Sequence, residues 1–365
     1  MKYINEFRDK ETADKLADDI RKAASGLDRQ ITLMEVCGTH TMAIYRYGIR
    51  SMIPKSIKLV SGPGCPVCVT PINYVDTAVE IAAQPNVAIT TFGDMVRVPG
   101  SRSTLQKERS SGKEIRVVYS PLDAVALAKE NPAKEVVFLG VGFETTAPLI
   151  ACSILEARRE GIANYSVLCA HKTMPEPMEV LTSGEIKLDG YICPAHVSAI
   201  IGADAYIPVA KKFSMPCVVT GFEPLDILKG LAMLARQAAE GRAEVENEYY
   251  RVVKPEGNKK AQQILRQVFV KSDAVWRGLG TIPDSGLAIS EEFDKFDASK
   301  KFGVTLPEPK ENPACICGRI LKGLNDPPEC RLFGSACTPD NPIGACMVSS
   351  EGTCAAAYRY GGYGE

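Results

Sequence analysis

Residues 135–146 read Glu135-Val-Val-Phe-Leu-Gly-Val-Gly-Phe-Glu-Thr-Thr146, with a helical pattern over 147–160 behind them. An unbroken apolar run passes into a glycine loop and then into a helix. That succession is the repeating unit of a parallel α/β sheet, whose strands are buried on both faces and therefore lack alternation. The same succession recurs on both sides of the stretch. Short apolar runs at 31–36, 57–60, 87–91, 165–169, 191–193 and 217–220 close on Cys37, on Ser61-Gly-Pro-Gly-Cys65, on Phe92-Gly-Asp94, on Ala170-His-Lys172, on Pro194-Ala-His196 and on Gly221-Phe-Glu223. Helical patterns at 73–83 and 122–130 lie between them. Residues 218–223 (Val-Val-Thr-Gly-Phe-Glu) echo the end of the first stretch, which predicts two similar α/β domains facing one cleft. Ligands of such folds bind beyond the carboxyl ends of the strands, where these Gly, Cys and His residues fall.

Outside this block the pattern changes. Residues 4–25 predict a helix with a charged outer face, 225–249 one amphipathic helix with Leu228, Leu231, Leu234, Ala235 and Ala238 on one side, and 261–270 a further helix. Beyond Ser272 the chain is rich in Gly, Pro and Cys, and a metal cluster tying its loops together would supply stability that periodicity does not. The expected class is α/β, with two similar parallel-sheet α/β domains around a cleft plus a Cys-rich iron–sulfur domain. The expected divisions are 1–56 (helix and Cys37 strand-loop, packing with the C-terminal domain), 57–150 (α/β with the CxxC), 151–224 (second α/β domain) and 225–365 (helical and Cys-rich).

The chain has 365 residues and a net charge of −1, so no basic or acidic surplus points to nucleic acid or an anionic membrane. Residues 1–16 are charged and lack an apolar signal core, and no apolar run reaches the roughly 18 residues of a membrane span. A cytoplasmic protein is expected, and there thirteen cysteines mean metal or redox chemistry rather than structural disulfides.

The cysteines form two sets. Cys65-Pro-Val-Cys68 is a CxxC on a tight Gly-Pro-Gly turn, a redox pair or half of a zinc site. Cys37 has Glu35, Thr39, His40 and Thr41 around it, too polar a setting for an ordinary core thiol, and a thiolate with an imidazole three residues on is a nucleophile or soft-metal ligand. In the second set, Cys315, Cys330, Cys337 and Cys354 offer the four thiolates of an iron–sulfur cluster, without a histidine nearby. Cys317 can replace Cys315, Cys346 is a spare, and an all-Cys zinc site is the alternative. Cys152, Cys169, Cys193 and Cys217 sit in apolar runs and read as core. Glu144, Thr145 and Thr146 either serve a site or cap the helix behind them. His196 and His171 both follow predicted strands, as His40 does, which suggests a shared cleft.

Five motifs, C-G-T-H-T at 37–41, G-P-G-C-P-V-C at 62–68, G-F-E-T-T at 142–146, P-A-H-V-S at 194–198 and C-T-P…G-A-C-M-V-S-S-E-G within 337–352, together resemble the HypD family of hydrogenase maturation factors. The resemblance runs from about residue 31 to the C-terminus. It implies two α/β domains, a third domain with a [4Fe–4S] cluster, and a part in building the Fe(CN)2CO unit of [NiFe]-hydrogenases. A small HypC-type chaperone would share the iron, a HypE-type partner would deliver cyanide, and the hydrogenase large subunit would be served indirectly. Carried over, Cys37 would be a thiolate ligand to the transient Fe(II) carrying CN and CO, with His40 beside it. Cys65 and Cys68 would be the electron-carrying dithiol, and Cys315, Cys330, Cys337 and Cys354 the cluster ligands. Such a chain is a scaffold more than a stand-alone enzyme. The competing reading is an iron–sulfur thiol–disulfide reductase of a partner protein, which would have no need of Cys37.

Overall fold

A computed structural model describes residues 5–304 and 310–362. The strands in chain order are β1 (Ile31–Glu35), β2 (Ile57–Ser61), β3 (Val87–Thr91), β4 (Glu114–Val117), β5 (Glu135–Gly140), β6 (Tyr165–Cys169), β7 (Gly190–Pro194), β8 (Cys217–Thr220), β9 (Val245–Asn247), β10 (Phe269–Trp276) and β11 (Gly280–Ile289). They form two parallel sheets, β2-β1-β7-β8-β9 and β4-β3-β5-β6, and one antiparallel hairpin of β10 and β11. The α/β class with two parallel sheets and a cysteine-rich region is what the structure has. The two Gly-Phe-Glu echoes follow β5 and β8, one in each sheet.

The sheets do not follow the expected divisions along the chain. β1 and β2 pair with each other and, through β1, with β7, while β6 closes the other sheet against β5. The first sheet thus takes strands from both sides of residues 56 and 150, and the second from both sides of residue 150. The consequence for function is that the loops after β1, β2, β7 and β8 all leave the same edge of one sheet.

Two sequence expectations are corrected. The helix expected over 225–249 ends at Glu240, because Gly241 takes a left-handed conformation (φ 64°) that closes it, and the chain re-enters the first sheet as β9. The helix expected over 261–270 is Lys259–Val268, and the stretch beyond it, read as lacking periodicity, opens with the β10–β11 hairpin. The N-terminal helix is Lys10–Ala24, capped by Asp9 accepting from the Thr12 N–H at 2.8 Å; residue 4, where it was expected to begin, lies outside the described residues. Its buried Ala17, Ile20 and Ala24 pack on the helix Pro224–Glu240. Among the described residues of 310–362 there are only short helices and turns, the longest being Thr353–Tyr360, which lies against the helix Gly38–Arg46. No helix among the described residues is long and apolar enough to cross a membrane.

Candidate metal centre and thiol line

Cys37 occupies the position before the helix Gly38–Arg46, in an extended conformation at the end of β1. Its N–H donates to Glu35 Oε2 (3.1 Å), and Thr41 Oγ1 donates to the other oxygen of the same carboxyl. Glu35 is buried, which pushes its pKa up to about 8, so it holds a proton at neutral pH. The adjacent loop is locked against this one. Gly62 N–H donates to Glu35 O (2.8 Å) and Gly38 N–H to Gly64 O (3.1 Å). A Cβ on Gly64 would lie 2.1 Å from the Cys37 nitrogen, so only glycine lets the two backbones meet. The Gly-Pro-Gly turn therefore delivers Cys65 beside Cys37.

Cys65 opens the short helix Pro66–Val69, and its sulfur accepts from the Cys68 N–H at 3.4 Å. Both CxxC thiols are buried. Cys68 lies between two sulfurs, in contact with Cys65 on one side and Cys346 on the other, and its pKa is pushed well up by burial first and by Cys346 second. Cys346 in turn stands 2.6 Å, sulfur to sulfur, from Cys317, and also contacts Cys354. A continuous line of thiols thus runs from beside Cys37 through Cys65, Cys68 and Cys346 to the C-terminal set. Spacing in the sequence had left Cys346 as a spare.

Cys315, Cys317, Cys330, Cys337, Cys346 and Cys354 line one cavity with Leu332, Phe333 and Met347 and no polar side chain other than the thiols. The Ile343 N–H points at Cys337 Sγ (3.3 Å), and a Cβ on Gly344 would approach Cys315 Sγ to 2.7 Å. Cys317 contacts both Cys346 and Cys315, and Cys315, Cys330, Cys337 and Cys354 line the same space. Such a donor set, all sulfur in an apolar lining with a main-chain N–H on one thiol, fits an iron–sulfur cluster. Among the described residues no three His, Cys, Asp or Glu side chains form a group that could hold a single metal ion. Arg277, unsuspected from sequence, is buried beside this region. Its Nε donates to Thr70 O (3.1 Å), just past the CxxC, a terminal nitrogen pairs with Glu311 (3.1 Å), and its charge favours the thiolates of Cys315 and Cys317. The other terminal nitrogen has no partner.

His40 is fully buried. Its Nε2 lies 2.9 Å from Gly221 O and 2.9 Å from Thr220 Oγ1. A carbonyl only accepts, so Nε2 carries the hydrogen and Nδ1 is left with a lone pair and no partner. Burial pulls its pKa down to about 4, so it is neutral. Phe222 is wedged between the His40 ring (4.7 Å) and the His196 ring (4.2 Å). His196 is exposed, and burial of part of its ring lowers its pKa while the Glu351 charge opposes that shift. Glu351 also accepts from Thr39 Oγ1 (2.7 Å). It is a second reason, after burial, that the Cys37 thiol is pushed up to about 12. Such a thiol stays protonated at neutral pH until a cation arrives to hold the thiolate. Glu351 was missed as a site residue, although it is the one acidic side chain between Cys346 and Cys354.

The structure brings Cys37, Cys65, His40, His196 and Glu351 to one edge of the first sheet. Glu144 follows β5 in the other sheet, where its Oε1 accepts from Met174 N–H (2.8 Å) and its Oε2 has no partner. Burial pushes its pKa up to about 8. Thr146 precedes the helix Ala147–Arg159 without a side-chain capping bond, donating to Phe143 O (3.2 Å) instead, and Thr145 is exposed.

A family model described as "HypD: Hydrogenase formation hypA family" matches residues 11–361. The chain is 50% identical to a hydrogenase expression/formation protein HupD of Azotobacter chroococcum, with 99% of this chain and 97% of that protein aligned. It is 49% identical to the hydrogenase maturation factor HypD of Azotobacter vinelandii, over 99% and 97% of the two chains. Against the hydrogenase maturation factor HypD of Escherichia coli K12 the identity is 43%, over 99% and 98%.

Proposed function

The chain belongs to the HypD family and has a role in hydrogenase maturation; from that premise we propose that it is the scaffold on which the Fe(CN)2CO group of a [NiFe]-hydrogenase is assembled. Cys37 is this chain's ligand to the iron under construction, which is cargo. Cys65 and Cys68 are the dithiol that supplies electrons, and Cys315, Cys330, Cys337 and Cys354 hold a [4Fe–4S] cluster. The observation that carries the reading is contiguity: Cys37 abuts the CxxC turn, and Cys68 touches Cys346, which touches the cluster cysteines.

Soft thiolates suit low-spin iron that binds cyanide and CO. When a thiocyanate-type donor gives up cyanide, its S–C bond breaks, two electrons are taken up, and the donor sulfur leaves as a thiolate. The Cys65/Cys68 pair can provide both electrons and become a disulfide, its protons leaving to the donor thiolate and solvent. When bound, the cluster supplies electrons singly to restore the dithiol. Cys346 and Cys317 stand as a second dithiol between the two. Neutral His40 and exposed His196 flank Phe222 at the mouth, and Glu351 fixes the Cys37 loop through Thr39. A small HypC-type chaperone completes the iron's coordination and a HypE-type partner donates cyanide, with the hydrogenase large subunit as final recipient, in the cytoplasm.

The test is an infrared spectrum of the protein purified without oxygen alongside its small chaperone. Bands in the C≡N and metal-bound C≡O regions are expected. Their absence, with iron present at cluster stoichiometry only, would overturn the scaffold reading.

A further inference from the structure

The β10–β11 hairpin turns at Arg277, Gly278 and Leu279, and this turn is wedged between the CxxC and the C-terminal cysteines. On one side the Arg277 N–H donates to Val69 O (2.9 Å) and its Nε to Thr70 O (3.1 Å), so one residue takes both carbonyls at the end of the helix Pro66–Val69. On the other side Gly278 (φ 79°) lies on Gly318, the neighbour of Cys317. A Cβ on Gly278 would come within 2.4 Å of Gly318 Cα, and one on Gly318 within 2.8 Å of Gly278 Cα, so the two backbones meet only because both residues are glycine. Fully buried Trp276 anchors the turn, its Nε1 donating to Ser285 Oγ (2.7 Å) and its ring stacked on Phe143 (5.9 Å).

The side chain held in this wedge carries a charge that it cannot shed, since a guanidinium stays protonated in proteins. Burying such a charge costs several kcal/mol unless it is well paired. Arg277 is poorly paired. Its side chain is 6% exposed, whereas that of Glu311, on its Nη1 at 3.1 Å, is 57% exposed. Water weakens the carboxylate's field more than it weakens the field of the buried cation. A net positive field is therefore left on the inner side. It reaches Cys315 and Cys317 and favours the thiolate of each. Arg277 Nη2 is buried and has no partner among the described residues, so a donor is also left over there. A neutral side chain could serve the Thr70 carbonyl, and the hairpin turn itself needs no cation.

We infer that Arg277 is a positioning residue for the electron path: its buried charge, fixed between the CxxC and the C-terminal cysteines, makes the cluster there easier to reduce. The inference rests on the cluster reading given above. In the step concerned, one electron enters from a low-potential donor, no bond is made or broken, and the site becomes more negative by one unit. A cation held nearby stabilises the more negative state more than the less negative one, which raises the potential. The same residue holds the end of the CxxC helix, so the charge keeps its place relative to both partners in the transfer.

The test is a mediated redox titration of the full-length protein without oxygen, with the reduced fraction read by electron paramagnetic resonance and visible bleaching, and iron and sulfide counted in each sample. At the wild-type midpoint, Arg277→Gln should raise the ratio of oxidised to reduced cluster about tenfold, a fall of about 59 mV for one electron, at unchanged iron and sulfide. Arg277→Lys keeps the charge and should stay within about twofold of wild type. An unmoved potential in Arg277→Gln, or a fall in Arg277→Lys as large as that in Arg277→Gln, overturns the inference. Where Arg277→Gln does not retain its cluster, Glu311→Gln decides. It removes the wet counter-charge and should shift the ratio about twofold toward the reduced form, and no shift or the opposite shift overturns the inference. Wild-type protein without cluster iron and sulfide would sink the cluster reading itself, and this inference with it. A normal wild-type cluster with the variants unmoved would sink only the part given to Arg277.

Discussion

Leu33 and Met34 of β1 are fully buried, hydrogen-bonded to strands on both sides and covered by helices. Ala345 and Cys346 are buried to the same extent, in a stretch whose described residues contain no strand and no helix longer than Thr353–Tyr360. In the first region apolar side chains at regular intervals exclude water and the backbone satisfies itself. In the second the interior is largely sulfur and alanine, and loops pass too close to one another to be specified by periodicity. The first region should therefore stand on packing alone, and the second on what its thiols hold.

The largest effect expected from that contrast is at Cys337. Cys337→Ala should lose the cluster, seen as loss of its iron, sulfide and absorption. The segment 310–362 should then become open to proteolysis while the sheets persist. An intact cluster spectrum in this variant would break the ligand assignment. Next, Ile20→Ala removes a fully buried side chain from the helix interface and should destabilise the protein by about 2–5 kcal/mol in denaturant unfolding. Its iron per chain should be unchanged under native conditions; loss of cluster iron would show that the two regions are not independent. Smaller is Gly64→Ala, where the added methyl meets the Cys37 backbone. A cost of about 1–3 kcal/mol is expected, with the cluster kept and the additional iron at Cys37 lost, as measured by metal analysis. Cys37→Ala should lose the same iron without the stability change.

The last effect concerns pH and is spread over several pH units. Glu144 has its pKa raised by burial to about 8 in the folded protein, against an ordinary carboxyl value near 4.3 when unfolded. Between those values the unfolded chain has released a proton that the folded chain keeps. Stability therefore falls as pH rises through that window, by at most about 1.4 kcal/mol per pH unit for this group, and levels off above it. Glu144→Gln should flatten the fall between about pH 4.5 and 8 in unfolding titrations. An unchanged slope would show that Glu144 is ionised in the folded state.

The same contrast explains what could be read from the sequence. β1, β2, β3, β5, β6, β7 and β8 were legible because each is a short apolar run closed by a glycine, cysteine or histidine loop. β4 was not, since Arg116 and Val117 are exposed and only Ile115 is buried. β9 is half-buried and three residues long, too short to separate from the helix before it. The β10–β11 hairpin mixes exposed and buried positions irregularly around a bulge between Ser272 and Ala274. In the site, Cys37, Cys65 and Cys68 announced themselves by polar or glycine-rich settings. Cys346, Glu351 and Arg277 matter because of what folds against them from far along the chain, and local pattern carries no record of that. Sheet membership was hidden for the same reason: nothing in β2 tells that it pairs with β1 rather than with β3.

The most direct measurement of the account is whether electrons pass from the C-terminal cysteines to the CxxC through Cys346. The protein would be prepared with Cys65 and Cys68 oxidised to a disulfide, given a low-potential one-electron donor, and its free thiols at those two positions counted by mass spectrometry, in wild type and in Cys346→Ser. The account predicts that wild type recovers both thiols, and that Cys346→Ser keeps its cluster spectrum but recovers far fewer thiols in the same time. Equal recovery in the two proteins, or loss of the cluster in Cys346→Ser, would contradict it.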